Sequence, residues 1–341
     1  MSRGIAFVVG ATGMLGRATV PALVADGWEV RAASRRGTRM ENWSGDVRTV
    51  AVDRDEEGAL AAAVGEGCDV LVDMVAYGKQ HAQQLAGLAD RVGSAVVIST
   101  VMVYEDSEGR SFATQGRPDG APRYPVPMAE TQSTLSAEDS GKVALEQGLL
   151  ASALPTTLLR AGAIHGPGCK APRELFFVKR ALDGRPVRVL AYDGLSRFQT
   201  VHSSNVAELV RLAAAKPGAR VLNAADPQAP TVAEISAAVD EAVGVRSELV
   251  TFEGASPDGT VGATPWSGEH PIVLDMAAAE RELGYRAVTS YAGSLPVTVA
   301  LLAERLRGRD WREAFPDMAR TYDPHLDLFD YAAEDAWLAA R

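Results

Sequence analysis

The stretch VVGATGMLGR, residues 8–17, sets glycines at 10, 13 and 16 directly after an apolar, β-rich run and directly before a helical pattern. Glycine at those three places allows a tight turn, a close approach of phosphates to backbone N–H groups, and close helix–strand contact. The helix start adds unpaired N–H groups and the positive end of its dipole. A dinucleotide's pyrophosphate suits such a turn, and Gly10, Thr12, Gly13, Met14, Leu15 and Gly16 are expected around it. A turn with only a structural role accounts for the first glycine better than for all three.

Short Val- and Ile-rich runs alternate with helical patterns through the first half, which predicts an α/β fold with a parallel sheet covered on both faces. Strands are expected at 5–11, 28–34, 47–53, 68–75, 95–104 and 156–164, and helices near 14–26, 57–64, 79–92 and 137–151. Residues 105–135, rich in Gly, Pro and polar side chains, read as a long functional or mobile loop. After residue 165 the alternation breaks. The expected division is a dinucleotide-binding domain over 1–167, a substrate lobe beginning at 168–200, a return to the first domain over 201–228, and the rest of the lobe with an aromatic-rich tail over 229–341.

The group after the second strand should read the adenosine ribose, where an acid would favour NAD. This chain has AASRRGTR, so Ser34, Arg35 and Arg36 offer a hydroxyl and guanidinium forks suited to a 2′-phosphate, and NADP(H) is preferred over NAD(H). Asp53 is either an adenine contact or a strand-end turn former. Val75, Ala76 and Ala161, at later strand ends, are expected to border the same cofactor.

A net charge of -10 argues against general nucleic-acid binding. Cys68 and Cys169 cannot make a disulfide framework, and His81, His165, His202, His270 and His325 are scattered rather than spaced for a metal. No signal peptide or membrane span is expected, and the reading is cytoplasmic.

Taken in order, GATGMLG, VVISTVMVY, the Lys142 helix, LLRAGAIHGPG, TVHSSNVAELV and AERELGYR resemble the extended short-chain dehydrogenase/reductase superfamily of epimerases and dehydratases, over residues 1 to about 305. The resemblance implies a Rossmann doubly wound parallel sheet with a smaller C-terminal substrate lobe, and a catalytic Ser/Thr, Tyr and Lys. It puts Ser99 and Thr100 at the Ser/Thr position and Lys142 at the lysine, bordering the nicotinamide ribose, but Glu138 where the tyrosine belongs. SAEDSGKVALEQGLL resembles the atypical branch that includes chloroplast stem-loop RNA-binding proteins.

Glu138 has two readings. Ser136 followed by Asp139 fits a capping box, which makes Glu138 an ordinary first-turn acid. Alternatively it shares a helix face with Lys142, where an ionised carboxylate could accept a proton but not donate one. Thr100, Tyr104, Tyr77 and His165 are the other expected proton donors. Tyr77, Tyr104, His165, Arg173 and Arg197 are expected toward the substrate. Lys170, Arg173, Lys179, Arg180, Arg185 and Arg188 form either a diphosphate site or a solvated face. Phe198 stands where the family's diphosphate arginine is aligned, and Asn205 replaces a usual acid. These features favour an NADP(H)-dependent reductase of a small metabolite, a natural-product or nucleotide-sugar intermediate. The alternatives are a non-catalytic nucleotide- or RNA-binding protein and an NAD-dependent epimerase or dehydratase. A homodimer is the base-rate expectation.

Overall fold

The computed structural model describes residues 3–324 and 327–341, so His325 lies outside the described residues. In chain order the strands are β1 (Ile5–Val9), β2 (Glu29–Ser34), β3 (Arg48–Ala51), β4 (Cys68–Asp73), β5 (Val92–Thr100), β6 (Thr156–Ala161), β7 (Ala163–His165), β8 (Val187–Leu190), β9 (Thr200–His202), β10 (Arg220–Ala224) and β11 (Glu248–Thr251). The helices up to residue 306 are α1 (Met14–Ala25), α2 (Ala59–Val64), α3 (Gly78–Ala86), α4 (Gly141–Leu150), α5 (Leu175–Leu182), α6 (Ser203–Ala215), α7 (Val232–Val243), α8 (Ala277–Leu283) and α9 (Tyr291–Leu306). Beyond them come α10 (Trp311–Ala314), α11 (Pro316–Tyr322) and α12 (Tyr331–Ala339).

Two compact units share the chain. The first comprises Met1–Gly162, Ser203–Ala225 and Leu274–Val288, and the second Ala163–His202, Asp226–Val273 and Thr289–Arg341. Residues 274–288, which the sequence order places in the lobe, thus pack in the first unit. There Val288 N–H donates to Asn205 Oδ1 and Lys216 Nζ to the Leu283 carbonyl.

The first unit is built on a seven-stranded sheet of order β10-β6-β5-β4-β1-β2-β3, parallel throughout. Strand order reverses at β1, the switch point of a Rossmann fold, where carboxyl ends of adjacent strands open a crevice for ligands. The central strands read as apolar runs rather than alternations because both faces are covered. Helices α1 and α6 pack as one pair, and α3 and α4 as another. Phe7, Val9, Leu71, Val97 and Leu158 form a core with Leu85, Leu145 and Leu149.

The long segment 105–135 is not loose. Buried Asp106 accepts from the backbone N–H groups of Glu108, Arg110 and Arg123, and Tyr124 donates to the Tyr104 carbonyl.

In the second unit β8 pairs with β11 and β7 with β9, while α5, α7 and α9 pack together. The aromatic tail closes on this unit: Arg180 donates to the Leu328 carbonyl and pairs with Glu334, and Phe329 stacks on Phe176. No helix among the described residues is long and apolar enough to cross a membrane.

Candidate active site in the first unit

The glycine turn follows β1 and is used at each of its three positions. Gly10 has φ +83°, and a Cβ there would stand 2.9 Å from Val75 Cγ1. A Cβ on Gly16 would lie 2.3 Å from the Ala11 carbonyl oxygen, so only glycine lets α1 sit this close to its own turn. Gly13 caps α1 without a side chain, leaving the first-turn N–H groups uncovered by any side-chain cap. Thr12 and Met14 are not buried, whereas the Leu15 side chain is buried and leaves only backbone for a ligand.

Beside this turn lies a cavity of about 520 Å³ lined by Thr12, Arg17, Ser34, Arg35, Arg36, Thr38 and Met40. Three guanidiniums and three hydroxyl groups therefore line one cavity. The Ser34 Oγ is buried with no hydrogen-bond partner, an arrangement that favours a polar ligand. Arg17, for which the sequence raised no expectation, is set by its Nε donating to the Thr12 carbonyl at 2.9 Å. Its signal is a basic residue in the first turn after the glycines. Asp53 accepts from the Asp55 N–H at 3.1 Å, the geometry of a turn former. Ala161 is buried at the end of β6.

The loop from β4 to α3 is tied down by Asp73. Its Oδ1 accepts from the N–H groups of Val75 and Ala76 at 3.0 and 2.8 Å, and its Oδ2 pairs with buried Arg54. Lys142 reaches this loop from α4: its Nζ donates to the Ala76 carbonyl at 2.8 Å and to the Ile98 carbonyl at 2.7 Å. An ammonium has three protons, so one remains for a ligand. Burial pulls the Lys142 pKa below its ordinary value. Thr100, at the end of β5, accepts from the Met102 N–H at 3.2 Å and keeps its own proton to donate.

Three expected roles meet other geometry. The lysine helix begins at Gly141 with Ser140 as its cap, so Glu138 lies outside it, in an exposed turn. Ser136 and Asp139 exchange hydrogen bonds at 3.1 and 2.6 Å within that turn instead of capping α4. Glu138 and Lys142 therefore do not share a helix face. Ser99 is buried and donates its hydroxyl to Glu146, which also holds Arg160 in a buried ion pair. Tyr104 is buried, donates to Asn223 Oδ1 at 2.7 Å, and has its pKa pushed up to about 12 by burial.

Tyr77 lies in the first unit, exposed just before α3, and the other expected residues belong to the second unit. His165 is buried, its Nε2 2.8 Å from Asp226 Oδ2 and its Nδ1 3.8 Å from Glu174 Oε1. Asp226 is further occupied by the Thr200 hydroxyl and the His202 N–H, so this histidine is part of a buried network. Arg173 lies 5.5 Å from the Phe198 ring centre, and Arg197 is exposed. Most of the basic group is consumed internally: Lys179 pairs with Asp183, Arg180 with Glu334, Arg185 with Asp335 and Arg188 with Asp240.

His202 carries a pH prediction. Burial, with His165 beside it, pulls its pKa from 6.5 to about 4. The folded value lies below the unfolded one, so the unfolded chain takes up the proton first as pH falls, and stability is lost between pH 6.5 and 4. Between pH 7 and 5 the loss is about 2 kcal/mol. Urea unfolding of wild type and His202→Gln at both pH values checks it: the variant should lack that part of the acid loss, and an identical loss in both would refute it.

Comparison with known proteins agrees with the fold. UDP-N-acetylglucosamine 4-epimerase from Bacillus cereus is similar over 87% of this chain and 99% of its own, with a TM-score of 0.66 and 17% identity. The dTDP-glucose 4,6-dehydratase from Streptomyces venezuelae, solved with NAD bound, is similar over 89% of this chain and 98% of its own, with a TM-score of 0.64 and 21% identity. In sequence, a ceramide reductase from Caulobacter vibrioides is 30% identical over 177 residues, 51% of either chain, so the match spans about half the length of this curated relative. The model of the NAD dependent epimerase/dehydratase family matches residues 6–225, from β1 through β10 and across the whole glycine turn and lysine helix, and the chain belongs to that family of enzymes.

Proposed function

We propose that this chain is an NADP(H)-dependent reductase acting on a small metabolite that bears a carbonyl, an imine or an activated alkene. The observation that carries the reading is the cavity in which Arg17, Arg35 and Arg36 meet the unpartnered Ser34 hydroxyl. Guanidinium forks match a 2′-phosphate bidentately, and none of the residues lining this cavity is an acid that could take a ribose hydroxyl pair as in NAD sites. The glycine turn would hold the pyrophosphate, and Lys142 the nicotinamide ribose. When bound, the reduced nicotinamide supplies the hydride. Thr100 and Lys142 then orient and polarise the acceptor. The similarity to a ceramide reductase supports reduction as the direction. Sugar epimerisation, which must carry a hydroxyl through a ketone and back, fits less well because Glu138 cannot serve as the tyrosine from its exposed turn.

The double substitution Arg35→Ala, Arg36→Ala removes two charge-assisted partners, each worth about 1.5–3 kcal/mol. The Kd for NADPH should rise by more than about 100-fold, and that for NADH less than about 3-fold, in a titration following tryptophan fluorescence. Equal weakening for both cofactors would contradict a 2′-phosphate site.

A further inference from the structure

We propose that Tyr77 is a catalytic residue: its hydroxyl supplies the proton that position 138 cannot, making it a tyrosine relocated from the lysine helix to the loop that faces it. The inference rests on the reading of this site as an NADPH-dependent reductase. Tyr77 directly follows Ala76, whose carbonyl accepts from Lys142, and the Lys142 Nζ lies 5.9 Å from the Tyr77 ring centre. The ring leans on bare Gly141, where a Cβ would stand 2.5 Å from Tyr77 Cε1. The helix thus carries its glycine where the tyrosine ring needs the room. Tyr77 is 61% exposed, an unusual state for a large aromatic held in place. It is held: its N–H donates to His81 Nδ1 at 2.7 Å, and His81 Nε2 lies 2.9 Å from Asp55 Oδ1. The neighbouring Val75 side chain reaches the Gly10 turn, so the same loop borders the cofactor cradle. Of the other donors expected near the site, Tyr104 is committed to Asn223 and His165 to Asp226, while Thr100 keeps its proton but, as an aliphatic alcohol, is a far weaker acid than a phenol.

In the reduction, hydride passes from the reduced nicotinamide to the carbonyl carbon, the C=O π pair moves to oxygen, and the Tyr77 O–H proton forms the new O–H bond. The nicotinamide is oxidised, the ketone is reduced to an alcohol, and the phenolate recovers its proton from water.

Two measurements test this. With 2,2,2-trifluoroacetophenone as the ketone, Tyr77→Phe keeps the ring on Gly141 but removes the proton, and should lower kcat about 100-fold or more while the Kd for NADPH stays within about 2-fold. Unchanged kcat in Tyr77→Phe would overturn the proposal, because ring packing alone would then explain the contact. Independently of turnover, tetranitromethane should nitrate Tyr77 in the wild-type protein and NADPH should protect it. Nitration that bound NADPH does not slow would overturn it too. Loss of NADPH binding by the wild-type protein would instead defeat the cofactor reading, and the relocated donor with it.

Discussion

Replacing Arg160 by methionine is expected to lower the free energy of unfolding by about 3–5 kcal/mol, the cost of leaving a buried partner charge uncompensated. Arg160 and Glu146 are 6% and 2% exposed and meet through two guanidinium nitrogens, with the closest contact 2.6 Å. Glu146 also takes the Ser99 hydroxyl, and Arg160 donates to the Glu130 carbonyl while lying over the Tyr104 ring. The pair therefore ties the ends of β5 and β6 to α4, the helix that carries Lys142. Replacing both members, Arg160→Met with Glu146→Leu, should recover most of the loss, since apolar side chains of similar volume remove the uncompensated charge. Urea denaturation of the three proteins measures this, and a single-variant loss under about 1 kcal/mol would mean that water reaches the pair.

The second large effect is on turnover. Lys142→Met keeps the aliphatic stem but removes the ammonium that bridges the Ala76 and Ile98 carbonyls. Loss of one preorganised charged donor costs about 10²–10³ in kcat. Freeing the Ala76 carbonyl should also loosen the β4–α3 loop, which faster amide exchange at Val75 to Tyr77 would report. A variant with kcat within a few-fold of wild type would remove Lys142 from the site.

Much of the first unit is legible in the sequence because its signals are local. An apolar run, three glycines and a helical pattern define β1, the turn and α1 within about twenty residues, and family segments fix the order of the later strands and helices. The start of α4 is harder to read. Ser136 reads as the cap, but the structure caps the helix with Ser140, four residues later, which moves Glu138 out of the helix. The basic group at 170–188 has a different difficulty. Its partners Glu334 and Asp335 are about 150 residues away in the chain, and nothing in the spacing of arginines announces an ion pair made at that distance. Arg160 is hidden inside the apolar run TTLLRAGAI, because its partner sits on another element, α4. Tyr77 needs both kinds of information, its place at a strand end and the bare Gly141 that admits its ring.

The most direct test of the cofactor assignment is a titration of the purified protein with NADPH, NADH, NADP and NAD, following quenching of its five tryptophans. Saturable binding is expected, at least about tenfold tighter for NADPH than for NADH, the least that one charge-assisted contact to the 2′-phosphate provides. Equal affinity for the two, or tighter binding of NADH, would contradict the assignment of Ser34, Arg35 and Arg36 to a 2′-phosphate and return the chain to the NAD-dependent chemistry that describes its family.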